Sequence, residues 1–199
     1  MNRLIALASV GFLTMSVSWA HAAENNFFSQ SGKAVTQPKP AEAQSAATMA
    51  TLAEAENTVV DIWKRLPFST RNVMFVAKGA SAYGGYEKRA TSVFAPGEKL
   101  LTYVEPIGYK WEENSPGTFR FGVTSDFEIL TTDGKVLGGQ RAFQNVEITT
   151  HYRNRELFLS LSISLDGIKP GNYVLAYDIH DKFGTGASRT EQPFTIKEP

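Results

Sequence analysis

Acid–base chemistry needs carboxylates, histidines or nucleophiles that converge on one point. Asp126 and Glu128 stand two apart in an alternating segment. That spacing puts both on one strand face, expected to meet solvent. Two carboxyls so placed suit the acid and base roles of glycoside cleavage; the plainer account is a solvated strand face. Asp178-Ile179-His180-Asp181 offers a second set. Asp178 and His180 share a face and Asp181 begins a turn. The three are weak candidates for a divalent-cation site, with His151 as a distant further ligand. The alternative is a turn-opening aspartate beside a surface histidine. The expectation is no catalytic residue, no metal and no cofactor.

Other chemistry is limited by composition. The chain has no cysteine, which removes thiol catalysis, thiolate metal sites and disulfides. No Gly-x-Ser-x-Gly elbow occurs, and Gly84-Gly85 is not followed by the Lys-Ser/Thr of a phosphate-binding loop. The 20 basic and 20 acidic residues balance, so no basic surplus points to nucleic acid or an anionic membrane surface.

Aromatic loops are the more suggestive feature. Tyr83 and Tyr86 flank Gly84-Gly85, and Tyr109 and Trp111 fall on one side of the segment Pro106–Glu113. Exposed aromatics beside polar groups suit sugar stacking or peptide capture, so these four are the expected ligand contacts. The competing account has them covering the open ends of a β-fold.

Any such residues must be positioned by strands. Phe119, Phe121, Val123, Phe127 and Ile129 alternate with Arg120, Thr124, Asp126 and Glu128, which predicts a strand over Thr118–Leu130. Asp133-Gly134 predicts a hairpin turn and a returning strand. Leu157, Leu159, Leu161, Ile163 and Leu165 form a second inward row, and Tyr173, Leu175, Tyr177 and Ile179 a third. A last strand runs through Phe194 and Ile196. Earlier strands are expected at Asn72–Ala77, Thr91–Phe94 and Lys99–Glu105. Seven or eight short strands with turns every ten or so residues predict a mainly β fold, an antiparallel two-sheet sandwich over 68–199.

The N-terminal third reads differently. Arg3, the apolar run Leu4–Val17 and the Ala20-His21-Ala22 exit predict a signal peptide over 1–22. The run is short for a membrane anchor. Cleavage would remove Arg3 and His21, leaving His151 and His180 as the histidines. Residues 23–46, poor in large apolar groups, predict a flexible linker. In 47–67, Met49, Leu52, Ala55, Val59, Ile62 (or Trp63) and Leu66 recur at three- and four-residue spacing, the face of an amphipathic helix stopped by Pro67. That face must pack on the following domain, a second protein or a second copy.

The stretch Leu165–Leu175, with Asp166-Gly167 and Pro170-Gly171-Asn172-Tyr173, resembles the corner of immunoglobulin-like and fibronectin type III-like domains. Ala95-Pro96-Gly97-Glu98-Lys99 and Gln192-Pro193-Phe194-Thr195-Ile196 are similar to segments of secreted bacterial β-sandwiches of that kind. The resemblance covers about residues 70–199. It implies that the Tyr173 hydroxyl returns to the corner backbone. The signal peptide, with cleavage near Ala22, sets the expectation of periplasmic or secreted localisation, and together with the resemblance it suggests a non-catalytic binding or scaffolding protein of the bacterial cell envelope, with an envelope protein or glycan as partner. The alternatives are an envelope polysaccharide- or peptide-modifying enzyme using Asp126, Glu128 or Asp178, and an assembly protein docking through the 47–66 helix.

Overall fold

The computed structural model describes residues 47–199. The signal peptide expected at 1–22 and the linker expected at 23–46 lie outside the described residues. In chain order the elements are α1 (Met49–Arg65), β1 (Ser69–Phe75), β2 (Val93–Phe94), β3 (Leu100–Ile107), β4 (Glu112–Ser115), β5 (Thr118–Thr131), β6 (Val136–Thr150), β7 (Leu159–Ile163), β8 (Gly171–Asp181) and β9 (Ala187–Ile196).

Two sheets result, as the alternation requires. The smaller has the order β1-β3-β7, and the larger runs β2-β9-β8-β5-β4 with β6 on β5. All pairings are antiparallel except β2 with β9. The inward rows of Leu159, Leu161 and Ile163 meet those of Phe121, Val123, Leu175, Tyr177 and Ile179 in one buried cluster. Burying such side chains gives about 1.5–3 kcal/mol each, which is why the period-2 rows decide the sheet faces. The Tyr177 hydroxyl donates to Thr102 Oγ1 at 3.4 Å across the two layers, so even the polar tip of this core aromatic has a partner. Tyr173 closes the corner before β8: its hydroxyl donates to the Lys169 carbonyl at 2.8 Å, and its ring stacks on Phe194.

The helix forms where its spacing predicts, but only the C-terminal end of its apolar face is covered. Thr48 caps it, accepting from Thr51 N–H at 3.1 Å while the Thr51 hydroxyl accepts from Thr48 N–H at 2.8 Å. Lys64 and Arg65 sit in the last turn, where cations suit the helix dipole. Pro67 holds Leu66 extended and ends the helix. Trp63 is the buried residue, whereas Met49, Leu52, Val59 and Ile62 stay exposed. The helix leans on the domain by its C-terminal turns, through Trp63 and Leu66, and the preceding part of the apolar stripe is left exposed. No helix among the described residues is long and apolar enough to cross a membrane.

Two strands correct the sequence reading. Glu112–Ser115, whose first two residues were read there as part of an extended segment or loop, forms β4 against Thr118–Arg120. β3 is buried on both faces over Thr102–Pro106. The loop carrying Tyr83 and Tyr86 folds across its outer side, where the Tyr86 ring lies 4.5 Å from Tyr103 and Gly84 N–H donates to the Tyr103 hydroxyl at 2.7 Å.

Candidate binding groove

The C-terminal half of α1 builds one wall of a cleft. Trp63 packs edge-on against Tyr109 at 5.1 Å and stacks on Trp111 at 5.7 Å, and its Nε1–H donates to the Tyr109 carbonyl at 2.9 Å. The loop from β3 to β4 must pass very close to the helix end. A side chain at Gly108 would lie 2.5 Å from the Pro67 carbonyl oxygen, and Gly108 has φ +73°, so only glycine fits there without strain. Lys110 then reaches back, donating from Nζ to the Lys64 carbonyl at 2.7 Å and filling an orphan helix acceptor.

The opposite wall is the irregular segment after β6. Its anchor is the Asn154 carbonyl, which accepts from the Tyr109 hydroxyl at 3.0 Å and from Trp111 Nε1–H at 2.8 Å. Between this segment and α1 opens a cleft of about 480 Å³ lined by Glu56, Asn57, Val60, Phe119 and residues 150–156. A hollow of about 260 Å³, bordered by Lys64, Lys110, Trp111 and Glu113, adjoins it through the shared Phe119 and Arg153. Arg153 lies over the Phe119 ring at 4.1 Å, a cation–π contact that fixes its plane. Arg153 and Arg155 are half-buried, and among the described residues neither forms an ion pair with a carboxylate. Tyr152 stands at the rim, 81% exposed.

Of the four aromatics expected as contacts, Trp111 borders this groove, half-buried. Tyr109 does not reach the surface. It is fully buried between Trp63 and Phe121, and burial raises its hydroxyl pKa far above the usual tyrosine value. The reading of Tyr109 as a surface contact is corrected to that of a core residue: the chain turns at Gly108, where φ is +73°, and the Tyr109 ring packs on Trp63 and Phe121. Tyr83 and Tyr86 lie on a different face, half-buried over β3. Tyr83 takes a hydrogen bond from Arg71, which also donates from Nε to Glu105 at 2.8 Å.

Glu105 was not visible in the sequence as a special residue. Its side chain is 3% exposed, and its second oxygen accepts from the Tyr103 hydroxyl at 2.9 Å. Burial works against its charge, but bonds from Arg71, Asn72, Tyr103 and Tyr83 outweigh it and hold its pKa below the ordinary glutamate value. Burial, with Glu105 alongside, raises the Tyr103 pKa to about 12. The uninterrupted run Leu100–Val104 was the available signal that β3 is covered on both faces.

The carboxylates come together on the outer face of β5, β8 and β9, yet each is engaged. Asp126 pairs across the ladder with Asp178. It is only 8% exposed, against the expectation of a solvated carboxyl, because Arg141 covers it at 2.8 Å and Ala142 N–H donates at 2.7 Å. Burial opposes its charge, but these bonds win and keep its pKa low. Arg189 bridges Asp178 at 2.6 Å and Glu128 at 3.1 Å. His180 Nε2 lies 3.5 Å from Asp126. Asp181 points to the other side, accepting from Lys110 N–H at 2.9 Å and Phe183 N–H at 3.0 Å; burial raises its pKa. Asp178, His180 and Asp181 therefore do not converge, and no group of three metal-ligating side chains occurs among the described residues.

No family model and no curated protein matches this chain. Among solved structures, it is similar to a superoxide reductase (neelaredoxin) from Ignicoccus hospitalis at 9% identity and TM-score 0.33, covering 64% of this chain and 82% of that one. The alkylpurine DNA glycosylase AlkC of Pseudomonas fluorescens, bound to DNA containing an abasic site analog, matches at 9% identity and TM-score 0.35 over 75% of this chain and 36% of that one. The sulfur carrier protein SoxY from Chlorobium limicola f thiosulfatophilum matches at 12% identity and TM-score 0.26, over 74% and 99%. Likenesses of this size assign neither fold family nor chemistry to this chain.

Proposed function

We propose that this chain is an exported, non-catalytic binding protein of the cell envelope, built on an immunoglobulin-like sandwich, whose ligand seats between α1 and residues 150–156. The observation that carries this reading is the groove itself. Its volume falls in the range of ligand sites, roughly 300–1,000 Å³. It has the aromatic rings of Phe119 and Trp111 along it, and half-buried Arg153 and Arg155, neither of which forms an ion pair with a carboxylate among the described residues. The carboxylate face offers the opposite arrangement. Its acids are neutralised by Arg141 and Arg189, and Asp126 is held ionised where a general acid would need its proton. The enzyme alternative is therefore the weaker reading.

The test is capture from envelope extract by the immobilised mature chain, alongside Arg153→Glu, Tyr152→Ala and, as control, Asp178→Asn. The expected result is a bound protein or glycan lost with both groove variants and kept with Asp178→Asn. A bound set unchanged by the groove variants, or abolished by Asp178→Asn, overturns the assignment.

A further inference from the structure

The small hollow beside the cleft carries a charge pattern of its own. Lys64, Lys110 and Arg153 border it, against a single carboxylate, Glu113. Glu113 is exposed and accepts from the Gly117 N–H at 3.2 Å. Lys64 pairs with Asp61 at 3.2 Å, but both side chains are more than half exposed. So wet a pair gives little stability and yields readily to a competing anion. Among the described residues, neither Lys110 nor Arg153 forms an ion pair with a carboxylate.

Arg153 is held by its face. Its guanidinium lies over the Phe119 ring at 4.1 Å, whereas the N–H groups of a guanidinium lie in its plane. The stacking therefore does not use that edge, the fork that grips a carboxylate or phosphate with two bonds. Lys110 Nζ gives one of its three protons to the Lys64 carbonyl, which ties the ammonium to the helix end and leaves two. Trp111, half-buried, is fixed by its bond to the Asn154 carbonyl and by stacking on Trp63 at 5.7 Å. Cations and a ring already held in place cost a ligand less ordering entropy than mobile ones.

The wider cleft is balanced by comparison. Arg153 and Arg155 stand there with Glu56 and Glu156, beside the exposed ring of Tyr152. Val60 is the one aliphatic side chain among the residues lining either hollow, so little here would receive a peptide's apolar side chains. Sugar hydroxyls are better matched, since guanidinium, amide and carboxylate groups can each bond them. We propose that the groove takes an anionic glycan. The carboxylate or phosphate of one sugar is held by Lys64, Lys110 and Arg153 beside Trp111, and neutral units continue along the wider cleft past Tyr152. This rests on the groove reading above and names the ligand class for it.

Titration calorimetry of the mature chain tests this with tetragalacturonate and its methyl ester, mannose 6-phosphate and mannose, and tetraglutamate. Each neutral sugar keeps its ring and drops the charge. At least one charged sugar should bind about tenfold or more tightly than its neutral counterpart and than tetraglutamate, and less tightly as salt rises. Which of the two does so identifies the acidic group. Arg153→Gln and Lys110→Met should each weaken that binding about tenfold and leave the neutral sugar unchanged. Lys64→Gln, at an exposed position, should act in the same direction and decides the matter should Lys110→Met unsettle the helix end. Charged and neutral sugars bound equally, tetraglutamate bound most tightly, no charged sugar bound, or cation variants without effect would each overturn the proposal. The groove reading is judged apart from it: equal binding of acid and ester, both lost with Tyr152→Ala, keeps the groove and removes the anionic ligand.

Discussion

Glu105 shows how a single side chain can organise a surface it does not reach. Its two oxygens hold Arg71 and Tyr103, and through them the loop bearing Tyr83 and Gly84 is laid across β3. Its folded pKa is lowered, so its contribution to stability is present above the unfolded value of about 4.3 and is lost as pH falls through the folded value. Glu105→Gln should cost about 1–3 kcal/mol at neutral pH, since it leaves Arg71 and Tyr103 with a poorer acceptor. The same variant should also lose less further stability than the parent between about pH 5 and pH 2. Denaturant titrations across that range check both statements. The network was illegible in sequence because its members are spread over 35 residues. Tyr173 was legible because its partner is local, the Lys169 carbonyl four residues back. Tyr109 was read wrongly as exposed because spacing in a loop carries no information on burial.

At the scale of elements, strand rows were readable wherever one face is buried and the other wet. β5 buries Phe119, Phe121, Val123 and Ile129 as read from its alternation, though Phe127 is half-buried and Asp126 buried; β7 buries Leu159, Leu161 and Ile163, and β8 buries Leu175, Tyr177 and Ile179. β4 was missed because four exposed residues with no apolar row carry no period. α1 was readable as a helix and Trp63 as part of its apolar face, but not how little of that face is covered: Trp63 is buried while Met49, Leu52 and Val59 stay exposed. Burial decides their energetics. Trp63→Ala should destabilise the domain by about 3–5 kcal/mol through loss of a buried aromatic and its hydrogen bond. Ile62→Ser, 47% exposed in the folded chain, should stay within about 0.5 kcal/mol. Thermal unfolding of the two variants separates a helix clamped at one end from one packed along its stripe.

For the whole molecule, the mainly β two-sheet class followed from the alternation and turn spacing, and the structure has it. The groove did not follow. It is made by α1, the approach to β4 and its start, and the segment after β6, pieces far apart in sequence that share no motif, though Trp111 at its border was singled out. The proposed export and the proposed envelope ligand rest on the signal-like sequence at 1–22 and on this groove respectively, and the groove is the part most open to test. The most direct measurement is photo-crosslinking in intact cells, with a photoreactive amino acid placed at Tyr152 on the groove rim and, separately, at Ser162 on the exposed face of β7. The account predicts a discrete adduct from position 152 that disappears with Arg153→Glu, and none from position 162. Equal adducts from both positions, or an adduct at 152 indifferent to Arg153→Glu, would contradict it.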